Sequence, residues 1–434
     1  MKRDPQALQA REHDLLIIGG GIAGAWVAWE AASRGISAAL IELDDFGQGT
    51  SWSSLKTAHG GLRHLQRLDI PGFRESVRER RALLRVAPEV VRPLSFAIAA
   101  SGVADPLKYF LGGLANDILS FDRNEGLRAD RFIGRSRISK GEALASAGVH
   151  GFAPGRVFLW QDAQITHTER LLMALLHEAA EAGAAVINRS RIESCERNAK
   201  GFEFKARDLV DGNGFSIRAR TVANASGAGL EEVARLIGET CGSPSLIRGV
   251  NVVLSGDLTP SLALGARDRD RFLFLVPWLG HTILGTAYDD GQRDVEDLVR
   301  NLLEGGRRAF PWARLDEGDI KAIHAGHVPG APNGEPIYRS KLISHKDPRI
   351  LSILTAKYTT ARATAESVLT RLAPSFSRPP RPSVSARQEL RKATPLVGSL
   401  SDRMERVRAE EMALSDGDAL RGRLIEGAFG ERLP

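Results

Sequence analysis

"HDLLIIGGGIAGAWVAWEAASRGISAALIEL", His13 to Leu43, reads as strand, glycine turn, helix and second strand. Leu15–Ile18 is a continuous apolar run, as expected of a strand buried on both faces. Gly19, Gly21 and Gly24 then fill the pattern G-x-G-x-x-G. The first makes the tight turn, the second lets backbone approach a pyrophosphate, and the third lets the helix pack on the strand. Ile22 and Ala23, in the helix's first turn, belong to the same candidate phosphate cradle. Glu42 ends the second strand 18 residues after Gly24, where a carboxylate can take both ribose hydroxyls. The whole unit points to a dinucleotide, and an acid at position 42 argues against a 2′-phosphate.

The chain's 434 residues are too many for one simple core, so two domains are expected. Hydrophobic content of 43% and charged content of 26% are ordinary for a globular enzyme. The net charge of +6 and pI near 9.5 fit a solvated surface, an anionic ligand or an anionic membrane face alike. Two cysteines, Cys195 and Cys241, form no CxxC, which leaves a thiolate zinc site and a dithiol centre unsupported. His324 and His327 are three apart with no third ligand at metal spacing, so no metal is expected. Basic residues are dispersed rather than interleaved with aromatics, so no nucleic acid is expected. No apolar run spans a membrane, and the polar start lacks a signal core, which makes the cytoplasm the expected compartment. "PLKYFLGGLANDILSF" (Pro106–Phe121) is amphipathic: a buried core helix as a rule, a face for a membrane or partner otherwise.

Further along, Glu75–Pro88 reads as a basic helix, and Ile165–Gly183 as a long helix before a short strand. Arg220–Gly229 reads as a strand running into a small-residue turn, and Arg271–Asp290 as paired strands turning at Leu279–His281. Arg349–Pro374 gives strand, polar turn and closing helix, and the proline-rich Ser375–Ser385 a linker.

Taken together these motifs resemble the FAD-dependent glycerol-3-phosphate dehydrogenases, within the D-amino-acid-oxidase-like flavoproteins. The resemblance is carried by "TSWSSLKTAHGGLRHLQ" (Thr50–Gln66), "RERRALLRVAPE" (Arg78–Glu89), "VANASGA" (Val222–Ala228), "FLVPWLGHTILGTAYDD" (Phe274–Asp290) and "TAKYTTAR" (Thr355–Arg362). "RAEEMALSDGDALRGR" (Arg408–Arg423) echoes a C-terminal helical domain, here reduced. It implies FAD in an α/β, Rossmann-like domain with a second, α+β domain carrying a mixed or antiparallel sheet. The FAD domain would comprise 13–93, 151–240 and 341–374, and the substrate domain 94–150 and 241–340. Residues 375–434 would form the linker and C-terminal segment.

By the same resemblance Thr50, Ser51 and Ser54 would donate to phosphate or ring, and Lys56 and His59 would lie along the isoalloxazine. Gly60, Ala225, Gly227, Thr359 and Thr360 would complete the cofactor site. Arg63, Arg339 and Lys357 occupy cationic positions suited to a phosphorylated substrate, with Lys357 also beside the flavin. Hydride would pass from a secondary alcohol to flavin N5, and electrons onward to a quinone or oxygen, at the inner face of a membrane if the protein attaches there. The chain departs from the pattern at Val328, where relatives carry an anion-anchoring arginine, and at His64, Asn251 and Tyr288. Those departures weaken the expectation for glycerol 3-phosphate itself. They keep open an amine or amino-acid oxidase of the same superfamily, and a flavin-binding relative with reduced catalysis.

Overall fold

The computed structural model describes residues 3–100, 104–152, 155–242, 245–269, 271–331, 334–355 and 357–390. The expected C-terminal helical segment, from 391 onward, lies outside them. The opening strand is Glu12–Ile18, and every residue of it but Glu12 is buried. It runs parallel between Ala38–Ile41 and Gly214–Asn224. Ile350–Leu354 and Ala185–Ile187 extend the parallel array on either side, and Lys341–Ser344 closes one edge antiparallel. The antiparallel pair Ser190–Arg197 and Phe202–Asp208 joins through Gly214–Asn224.

Glycine spacing sets the first crossover. Gly19 has φ +111°, and a Cβ there would sit 2.5 Å from the Ala225 carbonyl oxygen. At Gly24 a Cβ would overlap the Gly19 carbonyl oxygen, so only glycine lets helix Ile22–Ser33 lie this close to its strand. That helix is buried on nearly all sides, with Trp26 and Trp29 fully enclosed. It is wedged between the sheet and helices Thr168–Glu181 and Ala361–Leu372, which explains its lack of a polar face.

Among the described residues the second sheet has nine strands and is mixed: mostly antiparallel, with Leu262–Asp268 parallel to Val91–Ala99. Its hairpin Arg271–Trp278 to His281–Asp289 turns where expected, through Leu279 (φ +50°) and Gly280 (φ +80°). Strand Arg156–Ile165, expected among the residues of the cofactor unit, instead pairs with Val91–Ala99 in this second sheet. Its apolar run is equally suited to either sheet, and pattern alone carries no information about the partner.

Two more expectations change. The stretch 375–390 is no free linker but a strap. Ser377 N–H donates to Asp14, Arg381 N–H to the Arg34 carbonyl, and Leu390 N–H to the Val86 carbonyl. Helix Ala104–Leu119 does not turn its apolar face into the core: Leu107, Phe110, Leu111, Leu114 and Ile118 are exposed, and so is Phe121 just beyond it.

Candidate active site

The loop after Glu42 threads between the two sheets, pinned on both sides by its own hydroxyls. Ser51 Oγ accepts the Ile22 N–H at 2.9 Å, capping the first-turn amides of the glycine-turn helix. Thr50 Oγ1 donates to the His327 carbonyl at 2.8 Å and accepts the His327 N–H at 2.9 Å. Ser53 Oγ donates to the Ala325 carbonyl, and Ser54 Oγ accepts the Lys56 N–H. Thr50 thus ties the loop to strand Ile320–Pro329 rather than standing free toward a ligand. Glu42 is held at the strand end by the amides of Gly20 (2.5 Å) and Asp44 (2.8 Å). Burial raises its pKa, and those two amides oppose the rise.

Lys56 is where the resemblance misleads most. Its side chain is fully buried, and Nζ donates to the Trp52 carbonyl (2.6 Å), Thr168 Oγ1 (2.7 Å) and Glu169 (3.2 Å). It is a cation tying the loop to the Thr168–Glu181 helix. The His59 ring contacts Thr57 Oγ1 through Nε2 and Asp162 through Nδ1. Asp162 also accepts the Gly60 N–H at 2.6 Å and pairs with Arg80. Burial would raise the Asp162 pKa; the His59 bond and the Arg80 charge outweigh it and hold the carboxyl below its usual range. A Cβ at Gly60 would strike both Arg80 and Asp162, so Gly60 is there for close packing.

Beyond Gly61 the chain forms a cationic mouth. Arg63 donates to the Tyr338 hydroxyl, and Arg63, Arg67 and Lys357 all lie against the Tyr338 ring, 4.5, 5.3 and 5.6 Å from its centroid. Arg339, half-exposed, is 3.7 Å from Asp69. A chain of three groups crosses the mouth. His64 Nδ1 contacts Asp69 at 2.8 Å, and Lys357 Nζ contacts His64 Nε2 at 2.7 Å. Asp69 holds the proton on Nδ1, which leaves Nε2 as acceptor for the Lys357 amine. Burial, then the neighbouring Arg63 charge, bring the Lys357 pKa down to about 8. Burial and the Lys357 charge likewise lower that of His64, against the pull of Asp69. Burial raises the pKa of Tyr288, and the charge of Arg63 opposes the rise.

The mouth therefore gathers Arg63, Lys357 and Arg339 as expected sites, while His59 sits in a separate contact with Asp162. Sequence reading missed Arg67, Asp69, Asp162 and Tyr338. Asp162 had a signal, the one charged residue in the run "VFLWQDAQI". Asp69 had another: it precedes Ile70–Pro71 at the start of helix Ile70–Val86, and it caps the Gly72 N–H. Val328 lies half-buried opposite Ile247, and Asn251 accepts from Thr286.

The turn region fits a dinucleotide on its own terms. A Cβ at Gly21 would meet Ser51 Oγ at 3.0 Å, a tight contact just where the helix starts. On the adjacent strand's exit, Ala225 follows Asn224 and packs against Gly19, its N–H bonded to the Ile18 carbonyl, and Gly227 takes φ +59°. Thr359 and Thr360 are buried at the start of helix Ala361–Leu372. The hydroxyls of Thr355 and Thr360 are buried without a hydrogen-bond partner among the described residues, an arrangement suited to a ligand that brings acceptors.

Residues 14–364 match the family described as FAD dependent oxidoreductase. The glycerol-3-phosphate dehydrogenase of Synechocystis is 29% identical over 94% of this chain and 78% of its own length. That of Pseudomonas aeruginosa is 30% identical over 98% of this chain and 86% of its own length. Among solved structures, glycerol-3-phosphate dehydrogenase from Bacillus halodurans complexed with FAD superposes with a TM-score of 0.64. It is 22% identical and covers 87% of this chain and 68% of that one. The glycine turn, the acid at its strand end and the two-sheet frame thus belong to one lineage: the chain is an FAD-dependent oxidoreductase and a member of that family.

Proposed function

We propose that the protein oxidises glycerol 3-phosphate at its secondary hydroxyl, with the cationic mouth around Tyr338 holding the phosphate. The observation that carries this is the convergence of Arg63, Arg67 and Lys357 on one ring, next to the Asp69–His64–Lys357 chain. A dianionic phosphate is matched by the guanidinium forks of Arg63 and Arg67, which compensate for Val328 in place of the relatives' arginine and leave Lys357 to the alcohol end. FAD, held by the glycine turn, Glu42 and the Thr359–Thr360 turn, supplies hydride acceptance when bound. The chain's own work is to orient the alcohol and take its proton. With a pKa of about 8, Lys357 has enough neutral amine near neutrality to accept that proton, and His64 and Asp69 fix its position. Arg63 keeps the phosphate at the other end of a three-carbon substrate. The test is turnover of glycerol 3-phosphate, glycerol and a panel of amino acids with an artificial electron acceptor. Dihydroxyacetone phosphate as the product supports the assignment; an imino or keto acid from an amino acid instead would refute it.

We further infer that the enzyme works against a membrane, with a quinone as acceptor and oxygen as the alternative. No described helix is long and apolar enough to cross one. Support comes from the outward apolar face of Ala104–Leu119, continued by Leu68 (82% exposed) and Phe121 (78% exposed). Exposed apolar surface of this extent marks an interaction face, and the protein's excess of positive charge suits anionic lipid. Helix Leu62–Gln66, which carries Arg63 and His64, packs on this same helix, so the mouth stands beside the face. Sedimentation with anionic vesicles should be lost in Phe110→Asp/Leu114→Asp. Undiminished binding by that variant would rule the face out.

A further inference from the structure

On the far side of helix Ile70–Val86 from Asp162, a cavity of about 410 Å³ opens between that helix, the start of helix Ala361–Leu372 and the strap 375–390. Five arginines line it, Arg78, Arg81, Arg85, Arg362 and Arg387, against two glutamates, Glu79 and Glu125. The pairing inside it is unequal. Arg362 is spent on Glu79, through two bonds of 2.6 and 2.8 Å, and on Glu366. Arg81 is spent on Asp122 and Glu125. Arg85 bonds only to the backbone carbonyls of Glu125 and Gly126, and Arg78 and Arg387 make no ion pair among the described residues. Three guanidinium charges therefore share one concavity uncompensated. Burial, then the charge of Arg81, lowers the pKa of Arg85, with Glu125 opposing and Arg387 adding to the fall.

Nothing in the oxidation of a small alcohol requires this site. It lies behind the helix whose other face, through Arg80, serves Asp162 and His59. We propose that the cavity is a second ligand site, for a multiply charged phosphate compound, bound by Arg78, Arg85 and Arg387. Arginine forks match phosphoryl oxygens in pairs, and the volume lies within the range of small-molecule sites. The ligand would clamp the strap to two helices that each lead into the candidate active site. Ile70–Val86 follows the Arg63–His64 turn, and Ala361–Leu372 follows Lys357.

Inorganic pyrophosphate is the probe. Calorimetric titration of the full-length, FAD-loaded protein should show saturable binding that sodium chloride of matched ionic strength does not reproduce. Arg78→Gln/Arg387→Gln, both at exposed side chains, should weaken it at least about tenfold, as expected for losing two charge-assisted contacts, with the flavin spectrum unchanged. Arg63→Gln should leave it intact. Absence of saturable binding would overturn the proposal, as would equal binding by the double variant. Loss in Arg63→Gln alone would also overturn it, by placing the anion in the cationic mouth. So would binding that appears only after Glu410→Gln/Glu411→Gln, which would make the chain's own tail the occupant.

Discussion

Replacing Lys357 by methionine keeps the length of the side chain and removes its proton acceptor. With a pKa of about 8, roughly one Lys357 in ten carries a neutral amine at pH 7. If that amine accepts the substrate proton, flavin reduction should rise about tenfold per pH unit below 8 and level off above it. The sign follows from the base being the deprotonated form, so lower pH costs activity. Lys357→Met should lose this limb and slow reduction by roughly 10²–10⁴-fold, the usual contribution of a positioned general base. Asp69→Asn keeps a capping side chain on helix Ile70–Val86 but removes a negative charge that raises the Lys357 pKa. In that variant the limb should move to lower pH. Anaerobic stopped-flow reduction across pH 6 to 10 measures all three. A Lys357→Met enzyme within about threefold of the natural rate, with the limb still in place, would refute the role given to Lys357.

Gly24→Ala should cost FAD binding and fold stability together, because the added methyl meets the Gly19 carbonyl oxygen rather than a movable side chain; flavin content of the purified variant reads this directly. Lys56→Met should destabilise by about 3–5 kcal/mol in denaturant titration, since it leaves Glu169 buried without its ammonium, and adding Glu169→Leu should recover much of the loss. Arg63→Gln should raise KM for glycerol 3-phosphate about ten- to a hundredfold while sparing flavin content, as one charge-assisted phosphate contact is removed.

What was legible in the sequence was whatever depends on local spacing. The distances from Gly19 to Gly24 and on to Glu42 dictate a strand, a turn and a helix whatever the rest of the chain does, and they stand as read. The hairpin at Leu279–Gly280 is local in the same way. Contacts closed over long separations were not legible. Lys56 reads as a cofactor lysine until Thr168 and Glu169, more than a hundred residues on, fold over its ammonium. His64 reads as a departure from a pattern, and only the return of Lys357, 293 residues later, places it between that lysine and Asp69. The strap failed for another reason. Proline-rich composition predicts the absence of helix and strand, which holds, but says nothing of backbone groups that bond to Arg34 and Val86. Amphipathicity in Pro106–Phe121 likewise marks a two-faced helix without saying which face meets the protein.

The most direct measurement is the absorbance of the purified, FAD-bound protein under anaerobic titration with glycerol 3-phosphate. Oxidation of this substrate at the mouth formed by Arg63, Tyr338 and Lys357 predicts full bleaching of the oxidised flavin band at about one equivalent per flavin, with glycerol and amino acids leaving it intact. A band unchanged by glycerol 3-phosphate but bleached by an amino acid would contradict it.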